Sequence, residues 1–129
     1  TDTVESIRQI PDIIEEIGVD VPRYNIITPY PGTPFFNQLK EEGRLLTEDW
    51  YYYDTETVVF KPKNMSYETL QKEFYKLWLD TFTFKRILRR VKTSRNKGLK
   101  FILEVFSRQH ARKFRKYGKI KFEKKGEKQ

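Results

Sequence analysis

The sequence predicts an α+β fold that is mostly helical, with one or two short strands followed by a hairpin of long helices. Apolar residues recur at three- and four-residue steps along most of the chain, which is the period of an amphipathic helix. Two short β-prone runs, at 23–28 and 57–60, stand apart from these stripes. The chain contains no cysteine, so neither disulfides nor thiolate metal sites can contribute to the fold.

The first helix is predicted from Asp2 to Gly18. Asp2 and Glu5 have the spacing of a capping box, in which an N-cap side chain and an acid three residues later satisfy each other's backbone amides. Gly18 is the residue type that ends helices in the left-handed conformation. Pro11 interrupts the middle and predicts a kink or a restart. The apolar stripe of this helix is Val4, Ile7, Ile10, Ile14 and Ile17.

The stretch TPYPGTPFF at 28–36 concentrates three prolines and a glycine behind the first strand. Its turn at 30–33 suits type II, because proline presets one dihedral angle and glycine accepts a positive one. Thr33 can then cap a helix that begins at Pro34 and ends at Gly43. Such a connection points helix amides toward the carboxyl end of the strand, where α/β folds bind ligands. The alternative is a stiff turn that only orients the helix.

An aromatic cluster at 50–53 lies between Asp49 and Asp54, and the second strand at 57–60 follows it. The two acids are five residues apart across a loop. This spacing favours capping of the loop over paired acid–base chemistry.

The rest of the chain is predicted as two long helices. The first begins after an N-cap at Ser66 and continues to about Val91. The second follows a polar break at 92–97, where Ser94 or Asn96 can cap it, and the pair predicts an antiparallel hairpin. We expect two apolar stripes to face the core: Leu70, Phe74, Leu77, Thr81, Phe84, Leu88 and Val91, then Leu99, Ile102, Leu103, Phe106, His110, Phe114 and Tyr117.

Charge divides the chain into two halves. Residues 1–60 hold 4 Lys/Arg and 12 Asp/Glu, a net charge of −8, and residues 61–129 hold 22 and 6, a net charge of +16. The last helix carries basic side chains away from its apolar stripe: Lys100, Arg108, Arg112, Lys113, Arg115 and Lys116. A solvated basic face is one interpretation of them, and a surface for nucleic acid or anionic lipid is another. We expect this helix to end at Gly118 and the charged remainder to fray.

Catalytic motifs are missing from the sequence. It has no nucleophile elbow, P-loop, GxGxxG or HExxH. His110 is the single histidine and is expected to be a hydrogen-bonded packing residue. The longest uncharged run, 24–39, contains prolines and is too short to span a bilayer as a helix, and no signal peptide is visible. We therefore predict no membrane span and a cytoplasmic location.

Longer strings of the sequence resemble a known family. DTVESI at 2–7 and the segment 24–78, with TPYPGTP, LKEEGRLL, DW and VFKPK, are similar to the C-terminal part of the B12-binding radical SAM proteins, also called Fe–S oxidoreductases. That group includes relatives of hopanoid methylases and of the anaerobic magnesium-protoporphyrin ester cyclase. The resemblance covers about 1–92, and the helical remainder looks like the domain that follows the barrel in one subgroup.

The resemblance implies an enzyme that cleaves S-adenosylmethionine reductively for radical chemistry such as methyl transfer or oxidative cyclisation. Its cofactors would be a [4Fe–4S] cluster, S-adenosylmethionine and cobalamin. Residues 1–48 would form the C-terminal end of its partial (β/α) barrel, 49–65 an aromatic and strand connection, and 66–129 a basic helical domain.

Within that barrel, Thr28, Pro29 and Tyr30 would lie near the adenosine of S-adenosylmethionine. No residue of this chain is assigned a catalytic or metal-binding role. Because the cluster motif is missing, the resemblance implies a fragment that binds no cofactor and is inert by itself. Its partners would be the rest of its own parent chain and, in the parent enzyme, a small-molecule substrate.

The two strands of such a fragment must pair with each other or with a second copy, so a homo-oligomer is one expectation. The alternative function is a basic helical module that binds nucleic acid or another acidic partner, of which nucleic acid is the less favoured. Neither the substrate nor the reaction type beyond this class can be read from the sequence.

Overall fold

A computed structural model of the chain describes residues 2–117, and for 114–117 the backbone alone. Within these residues the fold is mostly helical, as predicted. The helices are α1 (Val4–Ile17), α2 (Pro34–Glu41), α3 (Tyr67–Thr81), α4 (Phe84–Thr93) and α5 (Lys97–Tyr117), with a 3₁₀ turn at Trp50–Tyr52. The predicted end at Gly118 and the fraying of 119–129 lie outside the described residues.

Helix α1 begins one residue later than the sequence predicts. Thr3 is its N-cap instead of Asp2: the Thr3 hydroxyl accepts a hydrogen bond from the Ser6 amide at 3.2 Å, and the Ser6 hydroxyl accepts one from the Thr3 amide at 3.0 Å. The helix is continuous through Pro11, so it does not restart there. Gly18 ends it with φ 74°, in the predicted left-handed conformation.

The first predicted strand, 23–28, does not form. The segment carries no strand hydrogen-bond pattern, and one backbone bond ties it to the rest of the described chain, from the Ile26 amide to the Thr55 carbonyl at 2.7 Å. A strand needs a ladder of successive bonds to one neighbour, and no neighbour runs alongside here. Ile26 is nevertheless buried, whereas Ile27 is 65% exposed.

The second predicted strand, 57–60, is reduced to one antiparallel bridge between Phe60 and Leu45. The flanking bonds run from the Leu46 amide to the Val59 carbonyl at 2.9 Å and from the Lys61 amide to a carbonyl of the same partner segment at 2.8 Å. This run therefore pairs with the chain that follows α2 and not with 23–28. Of the two arrangements expected for these runs, pairing with each other or with a second copy, the first does not form within the described residues.

The apolar core instead covers both runs with aromatic side chains of α3. Val58 and Val59 are fully buried. Gln71 of α3 holds this segment through its side chain, which accepts from the Val58 amide and donates to the Glu56 carbonyl, both at 2.8 Å. The buried core cluster consists of Ile26, Leu39, Val58, Phe60, Phe74, Trp78, Phe82, Ile87 and Ala111.

The long helix predicted from Ser66 to about Val91 is interrupted. Its start is confirmed, because the Ser66 hydroxyl accepts from the Thr69 amide at 3.1 Å. At Phe82 the backbone leaves the helix (φ −101°, ψ 32°), and Thr83 is extended. The interruption separates α3 from α4 and turns the predicted stripe, so that Phe84 and Leu88 are exposed while Ile87 and Arg90 are buried.

Two arginine side chains satisfy the carbonyl groups at this break. Arg90 Nη2 donates to the Thr81 carbonyl at 3.0 Å, and Arg108 Nη1 donates to the Phe82 carbonyl at 2.7 Å. Helix ends leave carbonyl groups without intrahelical partners, and a buried one is costly unless it is bonded. Because one of the donors comes from α5, the break depends on a contact that no helical period reveals.

Helix α5 departs furthest from the prediction. Its cap is confirmed, since the Asn96 side chain accepts from the Leu99 amide at 3.3 Å. The helix packs against α3 and α4, but the residues it buries are Lys100, Glu104 and Ala111. Its predicted apolar stripe points away from the core: Leu99, Ile102, Leu103 and Phe106 are 42 to 64% exposed. The side chains of Phe114 and Tyr117 lie outside the described residues.

The buried side of α5 is held by polar contacts. Lys100 Nζ lies 2.9 Å from Asp20, which follows α1. Arg90 of α4 forms an ion pair with Glu104. Two ion pairs, one with the segment after α1 and one with α4, thus fix the rotation of α5, which explains why its apolar side is left outside.

Candidate functional site

The segment 28–36 contains the predicted turn. The Thr33 amide donates to the Tyr30 carbonyl at 3.2 Å, which is the bond of a β-turn, and Gly32 has φ 80°. The Thr33 hydroxyl also donates to that carbonyl at 2.6 Å and accepts from the Phe36 amide at 3.2 Å. Pro34 occupies the first turn of α2. One threonine therefore closes the turn and caps the helix.

The three residues predicted to lie near a cofactor have different environments. Pro29 is fully buried, Thr28 is half-buried, and Tyr30 is 46% exposed. The Thr28 hydroxyl donates to the Ile26 carbonyl at 3.1 Å. Only Tyr30 presents much of its side chain to an incoming group, and the role of all three in binding S-adenosylmethionine stays a prediction.

Tyr30 belongs to an aromatic corner, which we define as Tyr30, Phe36, Trp50 and Tyr53. The Tyr30 and Tyr53 ring centroids are 6.4 Å apart, and the Tyr30 hydroxyl donates to the Tyr53 carbonyl at 3.3 Å. Trp50 lies 4.9 Å from Tyr53 and 6.2 Å from Phe36, and it is 54% exposed. The corner thus has two buried rings beneath and two rings that reach the surface.

Acidic side chains shape the loop that carries these rings. Asp49 Oδ1 accepts from the Tyr51 amide at 3.0 Å, and Asp54 Oδ1 accepts from the Thr57 amide at 2.8 Å. The capping role predicted for both acids is therefore confirmed. Thr55 adopts φ 63°, an uncommon conformation for a β-branched residue, and its carbonyl accepts the Ile26 amide.

The electrostatics of the corner keep the Tyr53 ring neutral. Burial raises the pKa of Tyr53, and Glu48 nearby adds to that rise. Its hydroxyl donates to the Thr47 carbonyl at 2.9 Å. Lys40 lies over the Phe36 ring at 5.8 Å and pairs with Glu48 at 3.1 Å. The corner can supply flat apolar faces and hydroxyl groups, which suit binding and orientation of a planar group.

No cluster of three or more histidine, aspartate or glutamate side chains suited to a metal ion occurs within the part of the chain that the structure describes. His110, expected to be a hydrogen-bonded packing residue, has its Nε2 3.0 Å from Glu56 and its ring 5.1 Å from that of Trp78. That expectation is confirmed.

Sequence reasoning missed the polar residues that hold distant segments of the fold together. Gln71 and the pair Arg90–Glu104 have no local signal that separates them from surface polar residues. A signal did exist on α5, where Lys100, Glu104 and Arg108 recur at four-residue steps and define a polar side as regular as the apolar one. Nothing in the pattern alone says which side is buried.

Comparison with known proteins gives the family. Residues 33–119, about two-thirds of the chain, match the family model described as a domain of unknown function, DUF4070. The chain belongs to the DUF4070 family. This domain is found in B12-binding radical SAM enzymes, so the resemblance noted from TPYPGTP and its neighbouring strings is confirmed. No solved structure matches the chain.

Curated relatives of this DUF4070 chain are methyltransferases. It is 28% identical over 109 residues to bacteriochlorophyllide d C-8(2)-methyltransferase of Chlorobaculum tepidum, a match that covers 84% of the chain and 24% of that protein. It is 32% identical over 90 residues to bacteriochlorophyllide d C-12(1)-methyltransferase of the same organism, covering 70% of the chain and 19% of that protein. An uncharacterized methyltransferase of Pyrococcus horikoshii is 26% identical over 87 residues, a match that covers 67% of the chain and 19% of that protein. The chain spans a quarter or less of the length of these relatives.

None of the helices within the described residues is long and apolar enough to cross a membrane. The cytoplasmic location and the division into segments 1–48, 49–65 and 66–129 stay predictions.

Proposed function

We propose that this chain closes the partial (β/α) barrel of a radical SAM methyltransferase and carries the helical domain that follows it. The parent enzyme would hold a [4Fe–4S] cluster, S-adenosylmethionine and cobalamin, and would cleave S-adenosylmethionine to transfer a methyl group to a small molecule. The observation that carries the proposal is the 109-residue similarity to a methyltransferase, which in a chain of this length must include residues 21–109 and hence the corner.

The residues of the corner fit a role in holding the adenosine. The ring of Tyr30 is half-exposed and contacts Tyr53, which Trp50 also contacts, and Pro29 is fully buried. Exposed aromatic faces next to a fixed backbone suit a planar purine. The cluster needs three thiolates, and a chain without cysteine cannot supply them. We therefore assign the cluster, and with it the reductive step, to other parts of the parent enzyme.

The extended segment 23–28 supports the same role. It has a strand-like sequence, a buried Ile26 and an exposed Ile27, yet one backbone hydrogen bond to the rest of the described chain. Backbone groups left open along an extended segment form a template for another strand. In the proposed parent enzyme the preceding barrel strand would take that place.

The test is a pair of substitutions in the reconstituted parent enzyme. Tyr30→Ala removes one of the two exposed rings of the corner, while Tyr51→Ala removes a ring outside the corner that is 73% exposed and meets Tyr52 edge to face. We expect Tyr30→Ala to weaken S-adenosylmethionine binding about tenfold, the size of one good aromatic contact. Tyr51→Ala should leave binding within about twofold. Equal effects of both substitutions would contradict the assignment of the corner.

A second measurement uses the chain by itself. Calorimetric titration with S-adenosylmethionine should give no tight binding, because the cluster that would chelate it is missing. Tight binding by the isolated chain would overturn the proposed division of labour.

A further inference from the structure

Helix α5 carries an apolar stripe on its outer side, which we define as Leu99, Ile102, Leu103 and Phe106. These positions follow the i, i+3, i+4, i+7 pattern, so they share one face of the helix. All four are exposed, and the opposite side of the helix is buried through Lys100 and Glu104. Exposed apolar side chains gathered on one face mark a surface that another body covers.

Cations surround this stripe. Residues 84–113 hold eleven Lys/Arg and one Asp/Glu, a net charge of +10. Five of the eleven make the ion pairs or carbonyl contacts that fix α4 and α5: Arg86, Arg89, Arg90, Lys100 and Arg108. The other six are exposed and form no ion pair within residues 2–113: Lys85, Lys92, Arg95, Lys97, Arg112 and Lys113.

These cations stand at both ends of the stripe. Arg95 and Lys97 precede Leu99, and Arg112 and Lys113 follow Phe106. Lys113 lies two turns beyond Phe106 and so continues the same face. At 1.5 Å per residue, an apolar segment about 10 Å long is bracketed by positive charge over about 24 Å of helix. Whatever covers the stripe must be apolar at its centre and anionic around it.

Pairing of α5 with α5 of a second copy does not meet this requirement. In a parallel pair of α5 helices, each cationic end of one helix would lie beside the same cationic end of the other. In an antiparallel pair the Lys97 end would lie beside the Arg112 end. Both arrangements bring like charges together without an acidic residue between them, since Glu104 is fully buried.

Nucleic acid fits the cations but not the stripe. Phosphates are met by basic and polar side chains, and single-stranded bases are met by aromatic rings. Three of the four stripe residues, Leu99, Ile102 and Leu103, offer neither, and Phe106 is the one ring among them. An acidic amphipathic helix would have to pair side by side with α5, and a stripe of about two turns is shorter than the roughly three or more heptads that such pairing uses.

We propose that α5 lies flat on an anionic lipid surface. The stripe enters the boundary between headgroups and acyl chains, and the cations at both ends contact lipid phosphates. This is the arrangement of interfacial helices, which combine an apolar face with flanking Lys and Arg. The helix binds the surface without crossing the bilayer, and the inference does not depend on the proposed methyltransferase activity.

The first test places a fluorophore on the stripe. The chain has no cysteine, so Phe106→Cys can be labelled at a single position with an environment-sensitive dye. Ile17→Cys on α1 is the matched control, since Ile17 is 68% exposed on a different helix. With vesicles of phosphatidylcholine plus roughly one-third phosphatidylglycerol, the label at 106 should shift to shorter wavelength and the label at 17 should not.

The second test measures affinity by co-sedimentation with the same vesicles. The triple variant Ile102→Gln, Leu103→Gln, Phe106→Gln should bind at least about tenfold more weakly. The triple control Ile13→Gln, Ile17→Gln, Ile27→Gln removes three apolar side chains elsewhere that are at least about as exposed in total, and it should bind as the unmodified chain does. All variants change surface positions, and circular dichroism verifies their fold. Salt at about 0.5 M should weaken binding of the unmodified chain strongly.

Three results would overturn the proposal. The first is failure of the chain to bind anionic vesicles. The second is binding that the stripe variant retains in full. The third is loss of self-association by the stripe variant in light scattering with no change in vesicle binding, which would make a second copy the occupant.

Discussion

Arg90 and Glu104 form a buried ion pair that joins α4 to α5. The Nε–Oε1 and Nη2–Oε2 distances are 2.7 and 2.8 Å, and the side chains are 3% and 0% exposed. The same guanidinium bonds the Thr81 carbonyl and lies 5.5 Å from the centroid of the Phe82 ring. One side chain therefore sets the break between α3 and α4 and the rotation of α5.

Replacing Glu104 with leucine should leave the Arg90 charge buried and unpaired. We expect the free energy of unfolding to fall by about 3–5 kcal/mol, the usual cost of breaking a buried pair. Urea denaturation followed by circular dichroism measures it. Arg89→Ala is the control, because that side chain is exposed and its contact with Glu15 is 3.4 Å long. Its effect should stay below about 1 kcal/mol.

The double variant Arg90→Met, Glu104→Leu should regain part of that loss, because it also removes the hydrogen bond from Arg90 to the Thr81 carbonyl. Both charges are removed together, and the buried Nη1 of Arg90, which has no hydrogen-bond partner among the described atoms, disappears with them. A double variant as unstable as Glu104→Leu alone would mean that the pair is needed for more than charge compensation.

Acid should weaken the contact between Arg8 of α1 and Glu73 of α3. Arg8 donates two hydrogen bonds to this carboxylate, at 2.8 and 2.7 Å, and they hold the pKa of Glu73 below its ordinary value despite the opposing effect of burial. A lowered folded-state pKa stabilises the fold at pH values above the ordinary glutamate pKa. That stabilisation is lost as the pH falls through the folded-state value.

We therefore expect the free energy of unfolding to decrease as the pH drops below about 4.3. Glu73→Gln should be less stable near neutral pH and lose less on acidification, because its side chain does not titrate. Urea titrations across a pH series measure both. An acid dependence equal to that of the unmodified chain would assign the effect to other carboxylates.

Gly32→Ala, in the turn at 30–33, should lower the free energy of unfolding by about 1 kcal/mol. Gly32 has φ 80°, and no atom lies within 4 Å of the added Cβ, so the cost arises from the backbone conformation and not from a clash. Gly98→Ala is a control that should change the free energy of unfolding in the opposite direction. Gly98 lies in helix α5 with open space around it, and alanine there should stabilise by about 0.5–1 kcal/mol. Thermal unfolding of the two variants in parallel compares them, and a stabilising Gly32→Ala would refute the strained turn.

The two N-caps of the α3–α4 segment should differ in energy. The Ser66 hydroxyl accepts the Thr69 amide, whereas Thr83 makes no side-chain capping bond. Ser66→Ala should therefore cost about 1 kcal/mol and Thr83→Ala only a few tenths. Equal losses in urea denaturation would show that Thr83 contributes in another way.

Local signals predicted much of this fold correctly. Ser66, Asn96 and Gly18 each act through neighbours within five residues, so the sequence alone is sufficient to place them. The type II turn at 30–33 and its capping threonine succeeded for the same reason. At α1, two capping pairs overlap in sequence, and the Thr3–Ser6 pair forms instead of the one that begins at Asp2.

Contacts between distant segments could not be predicted in this way. The break at Phe82 depends on Arg108, twenty-six residues later, and the burial of Val58 depends on Gln71. At the candidate site, Tyr30 meets Tyr53 across twenty-three residues, so the sequence indicated the turn but not the second ring. On α5 both sides repeat with helical period, and only the ion pairs with Asp20 and with Arg90 of α4 decide which one is buried.

The two tryptophans of the chain stand in opposite surroundings. Trp50 reaches solvent at the aromatic corner, whereas Trp78 is buried and stacks on Phe82 at 5.5 Å. Iodide in solution should therefore quench the red-shifted fluorescence of Trp50 and leave the blue-shifted fluorescence of Trp78 unchanged. The two tryptophans are therefore separate intrinsic fluorescence reporters. Trp50 reports binding at the aromatic corner, and Trp78 reports whether the core remains folded.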